Sequence, residues 1–123
     1  MPTGDRARFL EGVALFNAGR FWHAHEAWED VWKENPGGDA LFFKGLIQAA
    51  AAFHQLTNGK ERGTIIHLRR ATRKLTPYVP CRHGVNTQRL LEELAVWERA
   101  MVEQWPVEQR PPVPQVEFGE TKA

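Results

Sequence analysis

The chain has 123 residues, of which 42% are hydrophobic and 25% are charged, and its formal net charge is +1 at pH 7. This composition is typical of one globular domain and excludes fibrous, collagen-like and globally disordered proteins. A single cysteine excludes an internal disulfide, the N-terminus lacks the apolar stretch of a secretion signal, and no apolar run is long enough to cross a bilayer, so we expect a cytoplasmic protein.

Helix signals divide the chain into five segments without convincing strand alternation. Gly19 is a typical C-cap after the first segment, Pro36 ends the second, and the Asp39 side chain is expected to cap the third. The predicted helices span residues 5–18, 20–34, 39–57, 62–76 and 86–105. The sequence therefore predicts an all-α fold, a single compact bundle of about five helices built from two helical hairpins plus a C-terminal helix.

The third predicted helix is the expected centre of this bundle. Its apolar face consists of Phe42, Leu46, Ala49, Phe53 and Leu56. Small residues at 49–52 allow neighbouring helices to approach closely. Residues 1–105 are expected to form the bundle domain, and residues 106–123 a proline-rich extended tail that is either loose or laid along the surface.

The second predicted helix carries three tryptophans, two histidines and three acids between Phe21 and Trp32. On a helical wheel, His25 falls in the middle of an aromatic stripe, with Glu29 beside it. The expected aromatic wall consists of Phe21, Trp22, Trp28 and Trp32. Because a buried imidazole or carboxylate needs hydrogen-bond partners, any site is expected around His25 and Glu29.

A long ordered motif in this region resembles the domain of unknown function 309 family. It reads Phe16-x-x-Gly19-x-Phe21-Trp22-x-x-His25-Glu26-x-x-Glu29-x-x-Trp32, followed by Gly45-Leu46-Ile47-Gln48. The resemblance runs from about Phe9 to Leu75 and implies a small all-helical protein without an assigned activity. Thr64 departs from the alanine that the family usually has there, so we expect different packing at that helix start. The characteristic polar positions of the family correspond here to His25, Glu26, Glu29 and Gln48.

Two interpretations of the polar cluster remain open. The His25–Glu29 spacing allows both side chains to bind one metal ion, with a third ligand from Glu26, His54 or His67, as in a metal-dependent hydrolase-like enzyme. The spacing matches neither zinc proteases nor di-iron bundles. We therefore prefer a structural hydrogen-bond network that Gln48 or His54 closes, with no metal and no cofactor.

Residues 60–82 form a basic segment with a single acid. The fourth predicted helix presents a cationic arc that could contact phosphates. This arc consists of Arg69, Arg70, Arg73 and Lys74. We prefer to interpret it as a solvated face paired with glutamates of the fifth helix, because the net charge is near zero and no exposed aromatic side chain is apparent. The following segment, Cys81-Arg82-His83, is interpreted as an ordinary surface loop.

These patterns favour a non-catalytic interaction or ligand-binding protein. The alternatives are a metal-dependent hydrolase-like enzyme that uses His25, Glu26 and Glu29, and a nucleic-acid-binding protein that uses helix 62–76. We also expect a homodimer through the fifth helix or the Val107–Phe118 tail, because the apolar stripe of Leu90, Leu94, Trp97 and Met101 is wide for so small a bundle. The other expected partner is an unidentified protein or small molecule, rather than a nucleic acid or a membrane.

Overall fold

A computed structural model describes residues 1–118 and confirms the all-α prediction. The helices lie close to their predicted bounds, although the fifth ends at Val102 instead of Trp105. They are α1 (Thr3–Asn17), α2 (Phe21–Glu34), α3 (Ala40–Thr57), α4 (Glu61–Leu75) and α5 (Thr87–Val102). Short 3-10 turns occur at Thr76–Tyr78 and Val107–Gln109. Within residues 1–118, no helix has the length and apolar character needed to cross a membrane.

The helices form two antiparallel hairpins, α1–α2 and α3–α4, which are closed by the same kind of turn. Gly19 and Gly59 adopt positive φ angles of 79° and 72°, which glycine tolerates without strain. The following amides close each helix end, Arg20 N donating to Leu15 O at 2.9 Å and Lys60 N to Gln55 O at 2.9 Å. α3 packs against both α2 and α4, and α4 packs against α5. α3 is therefore the central helix, as predicted.

The core of the first hairpin is organised around Trp28. Its side chain is 0% exposed, and its indole Nε1 donates a hydrogen bond to the Phe9 carbonyl at 3.1 Å. Gly12 of α1 lies so close that a Cβ atom there would overlap the indole ring. The buried stripe of α2 is Phe21, Ala24, Trp28 and Val31, together with Ala27. The expected position of His25 in the middle of this face is therefore wrong.

Residues 81–86, which follow α4 and the 3-10 turn, form a small β-hairpin rather than an ordinary surface loop, and we call this hairpin the latch. Two-residue strands β1 (Cys81–Arg82) and β2 (Val85–Asn86) pair antiparallel, and are too short for sequence alternation to reveal them. Between them, the His83 ring stacks on Phe43 with centroids 5.4 Å apart. Its Nε2 lies 2.7 Å from Asp39 Oδ2, and Arg82 also binds this carboxylate. The prediction that the Asp39 side chain caps α3 is wrong. Its carboxylate binds Arg82 and His83 instead.

Residues 106–118 lie along the bundle surface. The Asn17 side chain bonds both backbone groups of Val116, at 2.7 Å to its N–H and 2.9 Å to its carbonyl. Trp97 Nε1 donates to Pro112 O at 2.9 Å, and Val116 is only 2% exposed. Of the predicted tail, residues 119–123 lie outside the described residues.

The apolar stripe of α5 is buried within the monomer. Trp97, the largest of its side chains, is 4% exposed, and the others are still less accessible. This stripe therefore offers no open surface for the expected homodimer, which stays a prediction that would need another contact.

Candidate functional site

A polar surface runs along α3, with α2 on one side and α4 on the other. The α3 positions Ala40, Lys44, Gln48 and Ala51 follow one another by about one helical turn and so share one face. We call this surface the α3 face. It consists of Ala40, Lys44, Gln48, Ala51 and His54 on α3, with Trp22, His25, Glu29 and Trp32 on α2 and His67, Arg70 and Lys74 on α4.

His25 lies at the edge of the core and is not part of a closed buried network. Its side chain is 18% exposed, and its Nδ1 lies 3.5 Å from Glu29 Oε1 without making a hydrogen bond. Burial lowers the pKa of His25, which Glu29 opposes and the nearby Lys44 reinforces. The imidazole is therefore neutral near pH 7, and its buried Nδ1 lacks a partner among the described residues.

The residues expected to complete that network bind elsewhere. Gln48 Oε1 accepts a hydrogen bond from Lys74 Nζ at 3.0 Å, which joins α3 to α4. His54 Nε2 lies 3.2 Å from Asn58 Nδ2 on its own helix. The prediction that Gln48 or His54 closes a network around His25 is therefore wrong. Gln48 and His54 nevertheless belong to the α3 face, and neither side chain is fully buried.

The aromatic wall predicted on α2 divides into two parts. Phe21 and Trp28 belong to the core, whereas Trp22 is 49% exposed and Trp32 is partly buried. The Trp22 ring stacks on the His25 ring with centroids 4.9 Å apart and planes 8° apart. It also lies 5.2 Å from the His54 ring. The hydrophobic pattern of α2 did not indicate that this aromatic side chain is exposed, although the small Ala24 and Ala27 indicate which side of α2 packs closely.

Cationic groups gather on the α4 side of the α3 face. Burial lowers the pKa of His67, with further contributions from Arg70 and His25. Burial also lowers the pKa of Lys74, and the neighbouring arginines and Lys44 add to this effect. His67 Nδ1 is buried without a hydrogen-bond partner among the described residues. Lys44, Arg70 and Lys74 repel one another, so a bound anion would relieve this repulsion, and it would also accept a hydrogen bond from an imidazole that becomes protonated.

A pocket of about 420 Å³ opens at the N-terminal end of α3. It is lined by Trp32, Lys33, Pro36 and Ala40. Lys44 lies between this pocket and the cationic groups, with its Nζ 4.6 Å from the centre of the Trp32 ring. The pocket and the α3 face therefore form one continuous surface.

The remaining predicted residues lie at the margin of this surface or away from it. Glu26 is exposed, and Arg69 forms an ion pair of 2.9 Å with Glu98, as the solvated-face interpretation expects. Arg70 and Arg73 are exposed and form no ion pair within residues 1–118. In the same range, no group of three or more His, Cys, Asp or Glu side chains is arranged to hold a metal ion. The metal-dependent alternative therefore has no ligand set in the described part of the chain.

The lowered pKa values of His25 and His67 predict a pH-dependent stability. In the unfolded chain, imidazoles take up protons near pH 6.5, whereas His25 and His67 of the folded chain do so only at lower pH. Between these pH values, the unfolded state therefore binds more protons than the folded state. The free energy of unfolding should therefore fall as the pH is lowered from 7.5 through this interval. Urea unfolding at several pH values would measure this fall, and it should be smaller in the double variant His25→Gln, His67→Gln. His23→Gln, at an exposed position of the same helix, is the control, and an equal effect there would contradict the assignment.

Comparison with known proteins supports the resemblance found in the sequence. The family model described as "Domain of unknown function (DUF309)" matches residues 9–66. This range contains α2 and α3 and thus most of the α3 face. No match was found among the curated proteins.

Proposed function

We propose that this chain, whose residues 9–66 match the DUF309 family model, is a non-catalytic ligand-binding module and that its α3 face binds anions. The family match names no activity, and the support for anion binding is the chemistry of the α3 face. The observation that carries it is that Lys44 lies near both His25 and Lys74, and that His25 and the neighbouring His67 each have a buried ring nitrogen without a hydrogen bond.

An anion is the ligand that satisfies these groups together. A carboxylate or phosphate oxygen accepts hydrogen bonds from protonated imidazole and from ammonium, and such charge-assisted bonds are about twice as strong as neutral ones. Glu29 is the one acid of the α3 face, and its carboxylate lies 3.5 Å from His25 Nδ1 without a hydrogen bond. The surface thus offers more cationic donors than it neutralises itself.

A second candidate is single-stranded nucleic acid, which a specific observation favours. Trp22 is a half-exposed aromatic residue stacked on His25, and α4 carries exposed arginines such as Arg70. Bases stack on such rings, and phosphates bind such cations. An oligonucleotide should then quench Trp22 fluorescence and bind more weakly to Trp22→Ala. Binding of a free anion with no measurable binding of the oligonucleotide would favour the first candidate.

The test of the proposal is a titration of the full chain with pyrophosphate, followed by calorimetry and by NMR of the histidine rings. We expect the His25 and His67 resonances to shift and their pKa values to rise, because the anion stabilises the protonated forms. Lys74→Gln should weaken binding by about tenfold, as expected when one charge-assisted hydrogen bond is lost.

Lys60→Gln is the matched control, because Lys60 is exposed and precedes α4 outside the α3 face. It should bind pyrophosphate like the parent protein. Thermal unfolding of both lysine variants shows whether the fold is kept. If the histidine resonances do not move at millimolar pyrophosphate, or if both lysine variants lose affinity equally, the proposal is refuted.

A further inference from the structure

We infer that the ligand of the α3 face is an amphipathic anion, an aryl carboxylate whose ring occupies the pocket beside Trp32 while its carboxylate binds Lys44. This inference rests on the proposed function and names the class of ligand. It goes beyond anion binding because it requires an apolar body of limited size.

The geometry places the two halves of such a ligand side by side. Ala40 lines the pocket, and Lys44 follows it by one turn on the same face of α3, about 6 Å further along. The Lys44 ammonium lies 4.6 Å from the centre of the Trp32 ring, and the same ring forms a pocket wall. A carboxylate bound to Lys44 therefore directs its substituent into the pocket.

The pocket itself selects for a small apolar group. Its volume of about 420 Å³ lies toward the lower end of the range of small-molecule sites, roughly 300–1,000 Å³. Trp32, Pro36 and Ala40 provide an apolar lining, and Trp32 offers an aromatic face for stacking. Lys33 adds a second cation beside the pocket. One or two fused rings with a single acid group match this combination of size, lining and charge.

Other ligand classes use only part of the surface. A small polar polyanion would bind the cations but leave the apolar walls in contact with water. A neutral aromatic molecule would fill the pocket but leave the Lys44 ammonium without a counter-charge. Only a ligand with both features uses the continuous stripe from Ala40 through Lys44 to Gln48.

The experiment compares three probes on the full chain by calorimetry: 2-naphthoate, acetate and 2-naphthamide. Acetate has the acid group without the rings, and naphthamide has the rings without the charge. We expect naphthoate to bind at least about tenfold more tightly than either, because burying apolar ring surface and pairing the charge both contribute. Naphthoate protons should also show NMR contacts with the Trp32 indole.

Two variants locate the binding. Ala40→Leu fills the pocket and should weaken naphthoate binding by about tenfold or more. Lys44→Gln should weaken the binding of naphthoate but not of naphthamide. The controls are Ala95→Leu, at an exposed position of α5, and Lys60→Gln, and both should bind like the parent protein.

The outcomes separate this inference from the proposed function. Pyrophosphate binding without a preference for naphthoate over acetate would overturn the inference and leave the proposed function standing. The inference also fails if naphthoate binds without contacts to Trp32, or if Lys44→Gln does not affect its binding. If neither pyrophosphate nor naphthoate binds, both proposals fail. If Ala40→Leu does not fold, the Trp32 contacts and the Lys44 variant decide the matter.

Discussion

Trp28→Ala is expected to lower the free energy of unfolding by about 3–5 kcal/mol, the range typical of large aromatic side chains removed from a core. The Trp28 side chain is fully buried, and its indole bonds the Phe9 carbonyl across the α1–α2 contact. Urea denaturation monitored by circular dichroism would measure the change. Since Gly12 faces the ring without a side chain, α1 has little there to refill the cavity.

Trp22→Ala is the matched control, because it removes the same side chain from the same helix. Trp22 is 49% exposed and packs mainly against the His25 ring, so its loss should cost no more than about 1 kcal/mol. Comparable losses of stability in the two variants would contradict the assignment of Trp28 to the buried stripe of α2 and of Trp22 to the α3 face. The same variant also serves the nucleic-acid test, in which Trp22 is the stacking residue.

The helices could be predicted from the sequence because their end signals are local. Gly19 and Gly59 each adopt the positive φ expected of a residue after a helix end, and Pro36 follows the end of α2. Such signals depend on residues within one or two turns, so distant packing disturbs them little at these positions. The central position of α3 also followed from its apolar face, which packs on both neighbouring helices.

The orientation of α2 could not be read from hydrophobicity alone. The predicted and observed stripes share Phe21 and Trp28, but the predicted one continues through His25 and Trp32, whereas the observed one continues through Ala24 and Val31. At 100° per residue, their centres differ by a rotation of roughly 60°. Close packing accompanies the observed orientation, since α1 approaches Trp28 so closely at Gly12 that a Cβ atom there would overlap the ring. A wheel that weights large apolar side chains undervalues small residues such as Ala24 and Ala27, which are also buried.

The pairings within the candidate site depend on residues distant in the chain. Gln48 was expected to bind His25 but accepts its hydrogen bond from Lys74, which lies 26 positions further along. Asp39 was expected to cap its own helix but binds His83, 44 positions away. The sequence indicates which polar residues need partners, but the packing of helices and loops decides which partners they find.

The second large effect on stability that we expect concerns Asp39, whose carboxylate binds the latch. Burial alone would raise the pKa of Asp39, but hydrogen bonds from Arg82 and His83 outweigh it and lower the pKa overall. A carboxyl group with a lowered pKa stabilises the fold above its ordinary value, near 3.9, and this contribution is lost as the pH falls further. At neutral pH, Asp39→Asn should therefore lower the free energy of unfolding by about 1–3 kcal/mol, allowing for its partial exposure to solvent.

Measuring the free energy of unfolding at acidic pH distinguishes this electrostatic role of Asp39 from a loss of packing. Urea unfolding of the parent and Asp39→Asn proteins should show a difference at pH 7 that shrinks as the pH falls below about 3.9, because the carboxyl group of the unfolded parent chain then takes up a proton before that of the folded one. Asp30→Asn is the matched control, since Asp30 is exposed and pairs with Arg8 on the surface, where an ion pair contributes at most about 1 kcal/mol. An equal difference at both pH values, or an equal loss in Asp30→Asn, would show that the latch is not held by the charge of Asp39. A difference confined to neutral pH would make this carboxylate the group that fixes the 81–86 hairpin against the start of α3, at the end of the helix where the pocket opens.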